Sequence, residues 1–286
     1  MLLAEIVVRG LIYGSMYALM SVGLTLVYGL LRILHIAHAG VFTLGAFLGV
    51  VVTNATGSLA LGFVAAVAAA CIAGALIYRL GYQPVLDQPP HVAMIVSIGI
   101  LVMMEDGFRL VFGGYGMSFN DNPYYQSTVH VFGIALTVVE IAMVAVSLAL
   151  LGLFTLVANR TRIGIGWRAT VTDPEMAASF GVDPVRVRYL NFVIGSALGA
   201  VAGVLVALLN NYVEPGMGAT LSYKGLAIIV LGGLGNVRGT LVASLLLGVV
   251  ENLGGIYLTQ VLDRNAIGFL FLIAALMIRP QGLLRR

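Results

Sequence analysis

Charge is scarce in this chain. Asp, Glu, Lys and Arg make up 9% of its 286 residues, where a water-soluble domain carries about a quarter. That shortage excludes a soluble globular domain. Cysteine is nearly absent: Cys71 stands alone in an apolar run, which leaves no disulfide framework and no thiol chemistry. Catalytic signatures are missing as well. There is no HExxH, no Gly-x-Ser-x-Gly and no phosphate-cradling GxxxxGK[ST]. The Gly-rich run GGLGNVRGT at 232–240 lacks the Lys-Ser/Thr ending, so it does not argue for nucleotide binding. If ATP drives anything here, the ATPase is another chain. The net charge of +3 comes from arginines at loop edges rather than from a basic face, so it does not point to nucleic acid as a partner.

What is present is apolar. Hydrophobic residues make up 60%, mean hydropathy is +1.04, and the 36 glycines suit closely packed or interrupted membrane helices. The N-terminus carries Glu5 and Arg9 but no basic start and no cleavage site, so it reads as a retained first helix. A crossing needs about 20 apolar residues. Ile6–Leu31, Leu59–Tyr78, Val92–Phe112, Val131–Val157, Leu190–Leu209 and Thr240–Leu258 are long enough. Ala39–Thr53, Gly225–Gly235 and Ala266–Ile278 are shorter. Counting these makes nine segments, with eight or ten also compatible, and an all-α polytopic membrane protein of one domain, 1–286.

Arginine placement sets the expected orientation. The loop 159–190 and the C-terminal RPQGLLRR are the most basic stretches, so both are expected in the cytoplasm. Residues 113–130 carry no Lys or Arg but do carry Tyr115, Tyr124 and Tyr125, as an outer interface would. Arg32 and Arg79 then fall inside, the C-terminus inside and the N-terminus on the periplasmic side of a bacterial inner membrane.

Two stretches look too short and too Gly-rich for ordinary spans: 35–49 and 224–240. Irregular backbone at membrane depth is tolerated where it is buried in protein or lines a water-filled path, and paired interruptions in two halves point to a transport path. Gly40, Gly45, Gly232, Gly233, Gly235 and Asn236 are the pathway candidates on that reading. The alternative is that these glycines only let helices pack closely.

Several polar residues lie inside apolar segments. Glu105 and Arg109 have the i, i+4 spacing of an ion pair near the outer surface. Glu140 falls about ten residues into its segment, facing a subunit interface or the path. His35 and His38 are expected to hydrogen-bond at a helix break rather than to hold a metal. Trp167, between Ile163, Ile165 and arginines 162 and 168, reads as an interfacial anchor.

The most informative stretch is NRTRIGIGWRATVTDPEMAASFGVDPVRVRYL, 159–190, which holds five of the fifteen basic residues. A short helix inside it has its own punctuation. Asp173 suits the N-cap, Pro174 the first helical position, Glu175 the positive end of the dipole, and Gly181 a left-handed stop. Asp183-Pro184 restarts a helix that runs into Leu190–Leu209.

The same stretch, extended through RATVTDPEMAASFGVDPVRVRYLNFVIGSALGAVAGVL, closely resembles permease subunits of branched-chain amino acid ABC importers of the LivH/LivM type. Glu175, Ala177 and Gly181 match the E-A-A-x-x-x-G coupling loop of such permeases, with Met176 in place of the first alanine. The opening GLIYGSMYALMSVGLTLVYGLLRILHIAHAGVFTLGAFLG, the run KGLAIIVLGGLGNVRGTLVASLLLGVVE and the end RPQGLLRR are also similar, more to the H-type subunit than the M-type. The resemblance implies a second permease subunit, two cytoplasmic ATPases that use ATP and Mg, and a periplasmic substrate-binding protein. On that resemblance this chain itself is expected to hold no cofactor and to be a transport subunit rather than an enzyme. The resemblance further implies that 159–189 is an ATPase-coupling loop, with Asp173, Pro174, Glu175, Met176, Ala177, Ala178, Phe180 and Gly181 forming its docking helix. Urea or short-chain amide importers share this permease type. A stand-alone secondary transporter with Glu105 or Glu140 as proton site, and a channel or scaffold, are the rivals from other classes.

Overall fold

In hydrocarbon every backbone polar group must be satisfied within the protein, so apolar runs of this length fold as helices. A computed structural model describes residues 2–120, 127–131, 133–258, 263–279 and 282–283. Among them the first helices are α1 (Leu2–Leu31), α2 (His38–Thr56), α3 (Leu59–Leu76) and α4 (Pro90–Phe112), with a π turn and a short 3-10 turn carrying α3 on to Val85. A hairpin follows, β1 (Thr128–Val131) antiparallel to β2 (Ile134–Thr137), with Thr128 opposite Thr137. The remaining helices are α5 (Val138–Arg160), α6 (Arg162–Thr172), α7 (Pro174–Ser179), α8 (Pro184–Asn210), α9 (Met217–Gly232), α10 (Val237–Tyr257) and α11 (Arg264–Ile278). Six are long and apolar enough to cross a membrane: α1, α2, α3, α5, α8 and α10. With α4 and the shorter apolar α9 and α11, all nine expected segments are helical.

α1 and α8 are the most buried spans and form the centre. α1 lies against α10 and α8, and α2 and α3 pack on α8. Glycine permits the closest of these approaches. A Cβ at Gly45 would stand 2.5 Å from the Cα of Ala200, so α2 and α8 touch backbone to backbone. By contrast, α3 and α5 leave large apolar side chains such as Leu61, Ile72, Leu148 and Leu156 exposed, as lipid or another subunit requires.

The loops gather at two ends. At one end the backbones of Met117 and Val213 bond each other at 2.8 Å. The Asn54 side chain holds Ser118 and Asn120 there, at 2.9 Å each. The opposite end carries 32–37, the α3–α4 link, 159–183 and 233–236; there the Leu283 amide donates to the Leu231 carbonyl at 2.7 Å. Tyr124, Tyr125, Arg285 and Arg286 lie outside the described residues.

Three expectations change in detail. α2 runs unbroken from His38, so the first interruption is confined to 32–37, with Arg32 at φ +53°, and meets the expected 35–49 only at its first three residues. The span expected from Val131 begins instead at Val138, because Gly133 turns the preceding residues into a hairpin and Thr137 caps the helix. The segment expected from Gly225 starts at Met217, eight residues earlier.

Candidate functional site: a capped helix and a buried charge pair

α7 is only six residues long, too short to persist on propensity alone, so its ends decide whether it exists. Asp173 Oδ1 accepts from the Glu175 amide at 3.0 Å and the Met176 amide at 2.9 Å. Pro174 sits where its missing N–H is not needed, and Glu175 stands in the first turn. At the other end Gly181, at φ +83°, donates to the Ala178 carbonyl at 2.9 Å, and Val182 donates to the Ala177 carbonyl at 3.0 Å. This pair of crossed bonds is the Schellman stop, which needs a residue free to adopt left-handed backbone. Asp183 then caps α8 through the Val185 and Arg186 amides at 2.9 and 3.3 Å.

The capped helix is pinned and presented at once. Ala177 is 3% exposed against the body, while Met176 is 56% and Phe180 82% exposed. Glu175 and Ala178 are exposed as well. Two apolar side chains in water on a locally rigid, charged-end helix are what a partner's groove takes up. Any displacement of α7 passes through Asp183 into α8, which runs through the centre of the bundle.

A second feature was not singled out from sequence. Lys224 on α9 and Glu251 on α10 form an ion pair at 2.9 Å, with Lys224 4% and Glu251 0% exposed. Tyr17 on α1 donates its hydroxyl to Glu251 Oε2 at 2.6 Å and accepts from Lys224 Nζ at 3.2 Å. Tyr17 and Lys224 stand midway along α1 and α9, so the pair is at mid-depth, and with Glu251 on α10 it joins three helices. Charge at that depth is costly unless paired, and here each charge meets the other and a hydroxyl. The legible signal was two opposite charges in otherwise apolar stretches.

The other polar candidates are engaged elsewhere. Arg109 pairs with Asp106 at 2.8 Å, an i, i+3 contact on the exposed face, rather than with Glu105. Glu140 sits in the first turn of α5, not ten residues deep. It closes a capping box with Thr137 and pairs with Arg9 at 3.1 Å. His35 Nδ1 lies 2.7 Å from the Tyr82 hydroxyl, beside the first interruption. Its ring centroid is 5.7 Å from that of His38, and among the described residues no three His, Cys, Asp or Glu gather as a metal site.

The pathway candidates fall in two places. Gly40 and Gly45 lie in α2 against Met104 and Ala200, in helix contacts. Gly232, Gly233, Gly235 and Asn236 come together at the α9–α10 interruption. Gly233 and Gly235 have φ of +98° and +76°, and Asn236 caps α10 through the Gly239 amide at 3.1 Å. None of the six lines the groove of about 1040 Å³ that lies between α1, α5 and α10. That groove is apolar along Ala18, Leu148, Leu151 and Leu245, with Ser15, Thr155, Asn159 and the charged Arg160 as its polar points.

Comparison with known proteins places this geometry. The sequence profile of the family described as "Branched-chain amino acid transport system / permease component" matches residues 6–279. The high-affinity branched-chain amino acid transport system permease protein LivH of Escherichia coli K12 is 31% identical over 291 residues, 97% of this chain and 94% of that one. BraD of Pseudomonas aeruginosa, a permease protein of the same description, is 31% identical over 294 residues, 98% of this chain and 94% of its own length. LivM of Salmonella typhimurium is 27% identical, over 94% of this chain and 67% of that protein. Among solved structures, PsaBC from Streptococcus pneumoniae in complex with Fab shares the fold, with a TM-score of 0.52 at 12% identity, over 94% of this chain and 89% of that one. The chain belongs to the family of branched-chain amino acid transport permeases.

Proposed function

We propose that this chain is one permease subunit of an ABC importer that carries branched-chain amino acids across a bacterial inner membrane by alternating access. Its match to permeases of that transport system over nearly its whole length supports the substrate class. The observation that carries the coupling mechanism is α7, a helix closed at both ends by local hydrogen bonds, with Met176 and Phe180 turned to water. A separate ATPase docks there, binds ATP and Mg, and moves α7 on closure; α8 relays the movement to the core. Moving a two-state permease from 1:99 to 99:1 takes about 5.5 kcal/mol of differential binding, which closure of the two ATPases has to provide.

The groove of α1, α5 and α10 forms this subunit's share of the path. Aliphatic side chains pass along its apolar wall, and its hydroxyls, Asn159 and Arg160 meet the polar ends of the substrate. A second permease, a LivM-type homologue or another copy, completes it, and a periplasmic binding protein delivers the substrate. The end bearing α7 and the arginines faces the cytoplasm, which leaves the N-terminus periplasmic. The test is leucine uptake into proteoliposomes that hold this chain with its partner permease, its ATPases and binding protein. Uptake that requires ATP supports the reading. Uptake driven by a proton gradient without ATP refutes it.

A further inference from the structure

A second cavity lies at the base of the coupling helix, apart from the groove of α1, α5 and α10. It has a volume of about 520 Å³. The last turns of α5 give Phe154 and Val157, α6 gives Arg162 and Trp167, and the start of α8 gives Arg186 and Leu190. The charged side chains that line it are both cations. Arg162 has no ion-pair partner among the described residues. Arg186 is 85% exposed and uses its Nε on Asp183 at 3.1 Å. The Trp167 ring sits edge-on to Phe154, with centroids 6.1 Å apart, and its indole N–H is buried without an acceptor.

These groups share one need. The cavity offers donors and positive charge that call for an anion rich in acceptor oxygens. Its remaining wall is apolar and calls for hydrocarbon. Its position, where α5 ends and α8 begins, is the boundary between the bilayer and the basic loop. A basic pocket between helices at that level takes an anionic phospholipid headgroup, with an acyl chain along the helices. We propose that this cavity is a binding site for an anionic phospholipid of the inner leaflet, whose phosphate meets Arg162, Arg186 and the Trp167 N–H, and whose chain lies against Phe154, Val157 and Leu190. Such a lipid wedges α6 against α8 directly beneath α7. A soluble anion leaves the apolar wall empty, so the lipid is the occupant that uses the whole site. The inference rests on the proposed cytoplasmic placement of this end, but not on what the protein transports.

The chain contains one tryptophan, and it lies in this cavity, so its fluorescence reads occupancy directly. The full chain is placed in vesicles of phosphatidylcholine with a minor share of phosphatidylglycerol, and one lipid or the other carries brominated acyl chains. Brominated phosphatidylglycerol at a matched mole fraction is expected to quench Trp167 with an apparent affinity about tenfold or more above brominated phosphatidylcholine, the preference that two arginines confer at a charged headgroup. Arg162→Gln/Arg186→Gln is expected to reduce that ratio to one, and Arg162→Lys/Arg186→Lys to keep most of it. Val157→Trp is avoided because it adds a fluorophore; Val157→Phe fills the cavity instead and should lower quenching by both lipids. Should the double variant fail to fold, Arg162→Gln alone, at an exposed position, still predicts a severalfold loss of preference. Equal quenching by the two lipids in the unaltered chain overturns the proposal. So does a preference that survives loss of both arginines, or one that inorganic phosphate abolishes, which assigns the site to a free anion.

Discussion

Removing one member of the Lys224–Glu251 pair is predicted to damage this protein more than removing both. Glu251→Leu leaves a lysine, 4% exposed, with its counter-charge gone and only the Tyr17 hydroxyl nearby. Breaking a buried pair in this way costs about 3–5 kcal/mol, a large share of the 5–15 kcal/mol that holds a typical protein folded. Lys224→Met/Glu251→Leu removes both charges at nearly constant volume, and such exchanges are often neutral or stabilising. The Tyr17 hydroxyl then loses its acceptor, which costs about 1–3 kcal/mol unless Tyr17→Phe is added. The triple variant is therefore expected near the parent, Glu251→Leu far below it, and the coupling between the two charges at about 2 kcal/mol or more. Stability is read from denaturation in detergent followed by size exclusion, at fixed detergent and lipid. A double variant as unstable as the sum of its singles would refute the claim that the charges stabilise each other.

Three further outcomes follow from the geometry. Asp173→Ala removes both side-chain bonds at the start of α7, worth about 0.5–2 kcal/mol, enough to melt six residues; amide exchange over 174–182 should quicken and uptake fall while the chain still assembles. Gly233→Ala forces a side chain onto φ +98°, at about 1–3 kcal/mol, and should abolish or sharply lower uptake with assembly intact; normal uptake would argue against a role for the second interruption. Gly45→Val pushes a Cβ to within 2.5 Å of the Ala200 backbone, so the melting temperature should drop by an amount matching about 1–3 kcal/mol of overpacking; an unchanged melting temperature would deny that α2 and α8 are in such close contact.

Much of this fold was legible because bilayers impose a simple rule: long apolar runs become helices. The coupling helix was legible for a local reason. Asp173, Pro174, Glu175 and Gly181 act on backbone within a few residues, and no tertiary contact is needed to read them. Errors arose where a local signal was overridden or passed over. Val131 to Thr137 reads as apolar and continuous, but Thr137-x-x-Glu140 is a capping-box signature that places the helix start there; reading it would also have placed Glu140 at the surface end. Ser222 and Lys224 break the hydropathy of α9, so its first eight residues do not read as part of a span. The lysine is tolerated because Glu251, on the next helix, neutralises it, and that fact lives in tertiary structure. Arg109 had two acidic neighbours at helical spacing, and only the side-chain geometry decides between Glu105 and Asp106. The first interruption was displaced because glycine signals both a break and a close contact. In α2 it serves contact.

The most direct test of the account is whether the ATPase subunits are held by the exposed face of α7. The chain is purified with and without Met176→Asp/Phe180→Asp, two changes in water that leave the caps and Ala177 untouched, and the ATPases recovered with it are measured. Intact folding with ATPase recovery lost in the variant is the result expected. Equal recovery from both proteins would contradict the claim that this helix receives the motor.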